Sequence, residues 1–323
     1  LLMNKLLTIC IPTFNRAERV EQLLNEIVFS QLMNIVKVIV SDDGSSDDTY
    51  ASLIAKKYRG DISVIRNKRN IGLAYNYIKL IESCNTDYFM VMADDDLLEE
   101  RGVVKLVAFL HQVKPDFVST AWSDCSSGEP SRAIEYNSLI KIKDIRSASN
   151  HSPGVVFKTL KAIENLEVMK ERLEDDCYAA TIFPIVVLAL LVSFSSNNCW
   201  WYKEVVGGYR PSGAASSNLT DKDGDSWASL SGRWKEQKAF ENVYKYMVNT
   251  VDNHKKEEVK RLLMMHKLHF YYRLEEGILF ERPDLLEYFL MVSAVRVIRN
   301  PIRSIKRIVY YIVEKFKFEY YMK

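Results

Sequence analysis

The first third of the chain alternates short β-forming runs with amphipathic helical stretches, and that rhythm leaves few folds open. Leu6–Ile11, Ile35–Val40, Ile62–Ile65, Tyr88–Met92 and Phe117–Trp122 are apolar runs rich in Val, Ile and aromatic residues, which predict strands. Helices are expected between them, over Ala17–Ser30, Asp47–Tyr58, Leu73–Cys84 and Glu99–Gln112. In the first of these, Val20, Leu23, Leu24 and Ile27 share one face. Strand–helix repetition of this kind means an α/β chain with a Rossmann-like, mostly parallel sheet and helices on both faces. Ligands of such sheets bind at the carboxyl ends of the strands. Pro12–Arg16, Asp42–Ser46, Arg66–Gly72 and Asp94–Asp96 all follow strands, so four loops converge on one rim.

The fourth loop is the most telling. The run Tyr88–Met92 breaks off through Ala93 into Asp94, Asp95 and Asp96, and two leucines lead from there into a helix. Three adjacent carboxylates repel one another and stabilise little unless a cation sits among them. Mg²⁺ and Mn²⁺ take one or two protein carboxylates and complete their shells with phosphate oxygens and water. A nucleotide diphosphate with a divalent ion is therefore the paired expectation. Acidic triplets are also common in solvated turns, and position after a buried strand is what favours a ligand here. The other loops are weaker signals singly. Pro12–Arg16 offers backbone NH groups, a hydroxyl and an amide to a base or phosphate, or Asn15 simply caps a helix. Asp42-Asp43-Gly44-Ser45 read alone is a turn and cap, and Asn70 to Gly72 an ordinary turn.

The chain has 323 residues and is 48% hydrophobic, enough for a core and a second subdomain. Its 44 basic and 42 acidic residues nearly cancel, and with an acidic rim this argues against a nucleic-acid binder. Cys10, Cys84, Cys125, Cys177 and Cys199 are scattered without a CxxC, the pattern of reduced thiols in a cytoplasmic protein. Leu6–Ile11 is too short an apolar run for a secretion signal. Cys177–Phe194 is at the lower length for a membrane span but contains Thr181, Pro184 and Ser193, so a buried helix is expected.

Further along, Ser123–Pro153 reads as an excursion off the sheet, Gly154–Phe157 as a strand and Thr159–Leu173 as a helix. An apolar helix follows over Tyr178–Val192, a strand over Trp200–Val206, and a loop over the site at Gly207–Ser217. From Ser226 the pattern is helical to the end. Near that end Ile298, Ile302, Ile305, Val309, Ile312 and Phe316 recur at spacings of four and three, with Arg299, Arg303, Lys306, Arg307 and Lys315 on other faces. Such a helix suits either an anionic membrane surface or packing against protein, a second subunit included. His266 and His269 share a helical face, which reads as packing rather than metal binding.

Taken in order, Ile11-Pro-Thr-Phe-Asn-Arg16, Val40-Ser-Asp-Asp-Gly-Ser-Ser-Asp-Asp-Thr49, Asn70-Ile-Gly72 and Ala93-Asp-Asp-Asp-Leu97 resemble the motif series of family 2 glycosyltransferases. These are GT-A-fold enzymes that take a sugar from a nucleotide sugar and invert its anomeric centre. The likeness is strong over residues 4–125 and loose over 150–217, and is greatest to bacterial O-antigen and capsule enzymes, abequosyltransferase-like members among them. It implies that Pro12, Thr13, Asn15 and Arg16 line the nucleotide pocket, that Asp42 or Asp43 bonds the base, and that Asn70 lies beside it. Asp94 would face the ribose or donor sugar. Asp95 would be the principal ligand of Mn²⁺ or Mg²⁺, with Asp96 in support. Ala93 stands where the family often has Asp, which leaves the register of the triplet open by one. Tyr75 stands where an Arg is often found, so Arg69 or Arg66 would supply that contact.

Inversion also needs a base to deprotonate the acceptor hydroxyl. By resemblance it lies in Glu174-Asp175-Asp176, with Asp176 first and Asp175 second; the bland reading is a helix cap. Asp221, Asp223 and Asp225 form a competing acidic run. Arg210 would clamp the phosphates, although Ser212 replaces a His often seen beyond it. The implied organisation is a GT-A catalytic domain over residues 1–225, with a nucleotide-binding half 1–122 and an acceptor-side half 123–225, then a helical region over 226–323. The implied partners are a nucleotide-sugar donor (a UDP-sugar first), a lipid-linked oligosaccharide acceptor, the cytoplasmic face of an inner membrane and a second copy of the chain. A teichoic-acid-type transferase and a non-catalytic nucleotide-sugar-binding protein are the alternatives.

Overall fold

The structure, a computed structural model, describes residues 5–124 apart from 57, 59 and 60, then 130–149, 154–175, 177–210, 224, 229–264 and 266. The chain divides into two compact units, Leu1–Ser216 and Ser217–Lys323. The first half of the first unit runs β1 (Leu7–Thr13), α1 (Ala17–Phe29), β2 (Val36–Asp42), α2 (Thr49–Ala55), β3 (Ile62–Arg66), α3 (Leu73–Ser83), β4 (Tyr88–Val91), β5 (Leu97–Leu98), α4 (Glu100–Val113) and β6 (Phe117–Asp124). The second half adds β7 (Pro130–Arg132), β8 (Ser138–Leu139), α5 (Ile145–Ser149), β9 (Val155–Lys158), α6 (Thr159–Ile163), α7 (Leu166–Glu174), α8 (Tyr178–Ile182), α9 (Pro184–Phe194) and β10 (Cys199–Tyr209).

These strands form one sheet in the order β3-β2-β1-β4-β9-β6-β10-β5, with β7 on β6 and β8 on β10. The run from β3 to β4 is parallel, so the loops after β1, β2, β3 and β4 share one edge, as the alternation predicts. Beyond β4 the sheet is mixed. β9 enters antiparallel between β4 and β6, where the sequence had β6 continuing the parallel series. Three buried apolar residues and a lysine carry no sign of strand direction. The stretch after Ser123, expected off the sheet, returns to it as β7 and β8.

The leucines after the acidic triplet form a strand rather than the start of a helix. Leu97 and Leu98 pair with Gly208 and Gly207 of β10. A Cβ at Gly207 would lie 2.2 Å from the Leu97 carbonyl oxygen and 2.5 Å from the Trp122 ring. Only glycine lets β10 come this close, and the contact fixes the chain just beyond Asp96.

The core lies where α1 covers the sheet. Val20, Leu23, Leu24 and Ile27 are buried in one cluster with Leu7, Ile9, Ile11 and Val38, each such side chain contributing roughly 1.5–3 kcal/mol. α9 is buried along its whole length. The apolar helix expected over Tyr178–Val192 is broken in two, because Pro184 cannot donate to the preceding turn and instead opens α9 at its first position. The helix expected from Thr159 is likewise divided into α6 and α7 at Glu164–Asn165. Among the described residues no helix is long and apolar enough to cross a membrane.

In the second unit, α10 (Leu230–Thr250) is followed by a helix over 253–264. His266 Nε2 lies 2.9 Å from the Gln237 carbonyl oxygen, with its ring against Phe240 and Tyr244, so it packs between side chains. His269 and the basic amphipathic stretch near the C-terminus lie outside the described residues.

Candidate functional site

At the rim, the β1–α1 loop is tied to the β2–α2 loop. Asn15 adopts a left-handed conformation with φ of 52°, which Asn tolerates better than most side chains. Its backbone N–H donates to Ser45 Oγ at 2.8 Å, and its Oδ1 accepts from the Ser46 backbone N–H at 2.8 Å. Asn15 therefore bridges two loops and does not cap α1; Arg16 holds the cap position without a side-chain bond. Pro12 and Thr13 are buried at the end of β1.

The paired aspartates after β2 have separate tasks. Asp43 accepts from Asn67 Nδ2 at 2.8 Å, the Ile71 amide at 3.0 Å and the Gly72 amide at 3.0 Å, so it shapes the loop that leads into α3. Asp42 accepts from the Ser45 amide and hydroxyl, and its Oδ2 lies 3.2 Å from Arg66 Nε. The Arg66 guanidinium in turn covers the Tyr50 ring at 4.6 Å, an arrangement that favours a cation. Gly44 has φ of +72°, and a Cβ there would lie 2.5 Å from the Arg69 carbonyl carbon. The Asp42–Ser46 loop thus rests directly on the backbone of Arg69 and Asn70, whose side chains are exposed. Asn70 Oδ1 accepts from the Gly72 amide at 2.9 Å, a local turn bond. Asn76, buried in α3, joins the loops from below: its Nδ2 donates to the Ser41 carbonyl, and its Oδ1 accepts from Asn67.

Geometry separates the three triplet carboxylates. Asp94 is 4% exposed and accepts from Thr13 Oγ1 at 2.8 Å and Arg16 Nη1 at 2.9 Å. Burial pushes its carboxyl above the ordinary range, while Arg16 and Thr13 hold it down. Asp95 Oδ2 receives two guanidiniums, Arg16 at 3.0 Å and Arg19 at 2.9 Å. Asp96 is 1% exposed, and among the described residues neither of its carboxylate oxygens has a hydrogen-bond partner. Burial first, and then the charge of Asp95, push it up to about 7; the adjoining backbone of Ala93 and Arg210 opposes this without a hydrogen bond of normal geometry. A buried carboxylate with both oxygens unmatched is costly, and a cation is the partner that would offset that cost. Among the described residues no three His, Cys, Asp or Glu side chains converge on a metal position, so a cation at Asp96 would take its other ligands from substrate phosphates and water.

On the far side, Asp175 caps the C-terminal end of α7 with its side chain 67% exposed, 3.6 Å from Arg172. That end of a helix disfavours a carboxylate. Asp176 lies outside the described residues, as do Ser212, Asp221, Asp223 and Asp225. Arg210 pairs with Glu26 of α1 at 2.9 Å. The rim thus brings together Thr13, Arg16, Arg19, Asp94 and Asp95 in one bonded group with Asp96 next to it in the chain, and Asn15, Asp42, Asp43 and Asn70 in an adjoining one. Arg19 is the residue that sequence reasoning missed, although it stands three positions after Arg16 and so shares its helix face.

The mixed sheet and this rim define a GT-A-type fold. The family model "Glycosyl transferase family 2" matches residues 8–182, more than half of the chain, and the chain belongs to that family. It is similar to abequosyltransferase RfbV of Salmonella typhimurium, 31% identical over 108 residues covering 32% of this chain and 32% of that protein. It is similar also to the poly(ribitol-phosphate) beta-N-acetylglucosaminyltransferase TarP of Staphylococcus aureus, 21% identical over 66% of this chain and 67% of that protein. The match to RfbV therefore spans about a third of that relative's length. Among solved structures, S. aureus TarS 1-349 in complex with UDP-GlcNAc superposes with a TM-score of 0.62 and 12% identity over 94% of this chain and 79% of that one. The mannosyltransferase PcManGT of Pyrobaculum calidifontis, in complex with GDP-Man and Mn²⁺, gives 0.52 and 13% over 96% and 87%.

Proposed function

We propose that this family 2 glycosyltransferase is a metal-dependent, inverting enzyme that moves a sugar from a nucleotide-sugar donor, a UDP-sugar first, to a hydroxyl of a lipid-linked surface-glycan acceptor. The observation that carries the reading is the buried Asp96 carboxylate at the rim, without a hydrogen-bond partner among the described residues and next in the chain to the aspartates that bind two arginines. Asp96 is the principal metal ligand in this reading, rather than Asp95, whose carboxylate already receives Arg16 and Arg19. A bound divalent cation supplies charge neutralisation for the diphosphate leaving group.

The chain's own residues do the rest. Thr13 and Arg16 orient Asp94 towards a hydroxyl of the ribose or donor sugar. Asp42 and the backbone of Pro12–Asn15 meet the base, while Asp43 and Asn70 keep the adjoining loop in shape. Asp95 aims Arg16 and Arg19, whose positive charge lies at the opening of α1, where its dipole also favours an anion. Asp176 removes the proton of the incoming acceptor hydroxyl. Arg210 serves the phosphates only after leaving Glu26.

The similarity to TarP over two thirds of both chains supports a second acceptor, a polyol-phosphate polymer. A binding screen of UDP-, GDP-, dTDP- and CDP-sugars, with and without Mn²⁺, tests the donor side. One base is expected to bind at least about tenfold tighter in Mn²⁺; no metal effect for any donor would remove the reading. A cytoplasmic protein acting on a lipid-linked acceptor would gain from a membrane-facing C-terminus. Residues 300–323 are expected to be required for binding to anionic vesicles, and unchanged binding after their deletion would contradict this.

A further inference from the structure

Cys10 and Cys84 bring their sulfurs within 3.3 Å of one another, and both thiols are free. Neither belongs to the rim. Cys10 sits inside β1, registered against Ile39 of β2 and Val91 of β4. Cys84 caps α3, its amide bonded to the Ile81 carbonyl and its thiol also donating to the Leu80 carbonyl at 3.2 Å. The contact is thus between a central strand and a helix end, both fixed by backbone hydrogen bonds. Forming a bond would need the sulfurs to close from 3.3 Å to about 2.05 Å, a small side-chain movement.

We propose that Cys10 and Cys84 form an oxidative modification site, a dithiol that a small hydroperoxide converts to an intramolecular disulfide. Exposure orders the steps: Cys84 is 8% exposed and Cys10 fully buried. The Cys84 sulfur attacks the peroxide oxygen, giving a sulfenic acid and releasing water from hydrogen peroxide or an alcohol from an organic hydroperoxide. Cys10 then gives up its proton and attacks the Cys84 sulfur, expelling the sulfenic oxygen as water. Two thiols lose two electrons, the peroxide gains them, and no further reactant is needed. Burial, and then the hydrogen bond with Cys84, raise the Cys10 thiol well above its ordinary value, which makes the second step slow.

The bond would close a loop of 74 residues that contains the Asp42–Ser46 and Arg66–Gly72 loops. Restricting the unfolded chain in this way stabilises the folded one, more so for long loops. Since neither sulfur touches the rim, donor binding would persist.

The test uses the full chain, reduced or treated with hydrogen peroxide, followed by alkylation, non-reducing peptide mapping and thermal unfolding. The expected result is a peptide pair joined through Cys10 and Cys84, with an unfolding midpoint raised by about 5 °C. Reductant should reverse both, Cys84→Ser should abolish both, and Cys177→Ser should abolish neither. Oxidation of Cys125, Cys177 or Cys199 in folded protein without the Cys10–Cys84 pair would overturn the proposal. The wild-type map decides this even if the Cys84→Ser chain does not fold.

Discussion

Asp96→Asn is expected to erase the metal dependence of donor binding and lower sugar transfer by about 10²–10³-fold, while leaving the protein at least as stable as before. The stability half follows from the sign of the pKa shift. Asp96 titrates near 7 in the folded chain against an ordinary 3.8. Between those values the folded state holds a proton that the unfolded state has released, so stability falls as pH rises through this window. The penalty is complete above pH 7, and at about 1.4 kcal/mol per unit it reaches an upper figure on the order of 4 kcal/mol. Asn carries no charge and escapes it. Melting without metal should therefore separate wild type and Asp96→Asn at about pH 8 and bring them together near pH 4. A change that damages activity yet raises the melting point is the mark of a carboxylate kept for a ligand. Asp95→Asn is the informative contrast. Loss of that carboxylate frees Arg19 and leaves Arg16 with Asp94 alone, so donor affinity should fall while the Mn²⁺ titration keeps its midpoint. If Asp95→Asn alone erased the metal response, the register with Asp95 as ligand would be the right one.

Asp176→Asn is the second large effect. Removal of the general base should cost about 10²–10⁴ in turnover and leave donor affinity unchanged. Asp175→Asn should change turnover only a few-fold. The Asp175 side chain is solvent-exposed, beside Arg172 and at the unfavourable end of α7, with little to hold it against an acceptor hydroxyl. A larger loss from Asp175→Asn than from Asp176→Asn, read in single-turnover transfer, would move the base by one residue.

Much of the chain up to β6 was legible in the sequence, because parallel β–α units write themselves as alternating periods. β1 to β4 fall within a residue or two of their apolar runs, and the four rim loops follow from strand direction alone. What escaped is information that local pattern does not carry. The antiparallel entry of β9 depends on which neighbours it meets, and Leu97–Leu98 forms a strand only because Gly207 lets β10 approach. Pro184 divides an apolar run whose hydrophobicity is unbroken across it, so periodicity alone reads one helix where the ring imposes two. At the site, the motifs located the carboxylates without dividing their work. Asp42 and Asp43 are adjacent and alike in sequence, yet one faces Arg66 and the other builds a loop. Asp95 and Asp96 are alike in sequence, yet Arg16 and Arg19 reach the first while among the described residues no side chain bonds the second, a distinction made by side-chain direction.

The central claim is that Asp96 awaits a cation which the donor's phosphates help to hold, and it has a pH signature. The most direct measurement is the calorimetric affinity of a UDP-sugar in Mn²⁺ between about pH 5.5 and 8, a range in which the donor itself does not titrate. Because the metal must displace the Asp96 proton, affinity should fall by about tenfold per unit below about pH 7 and level off above it. The metal-free affinity should stay flat. A Mn²⁺-supported affinity that is constant across the range, or donor binding indifferent to Mn²⁺, would contradict the assignment.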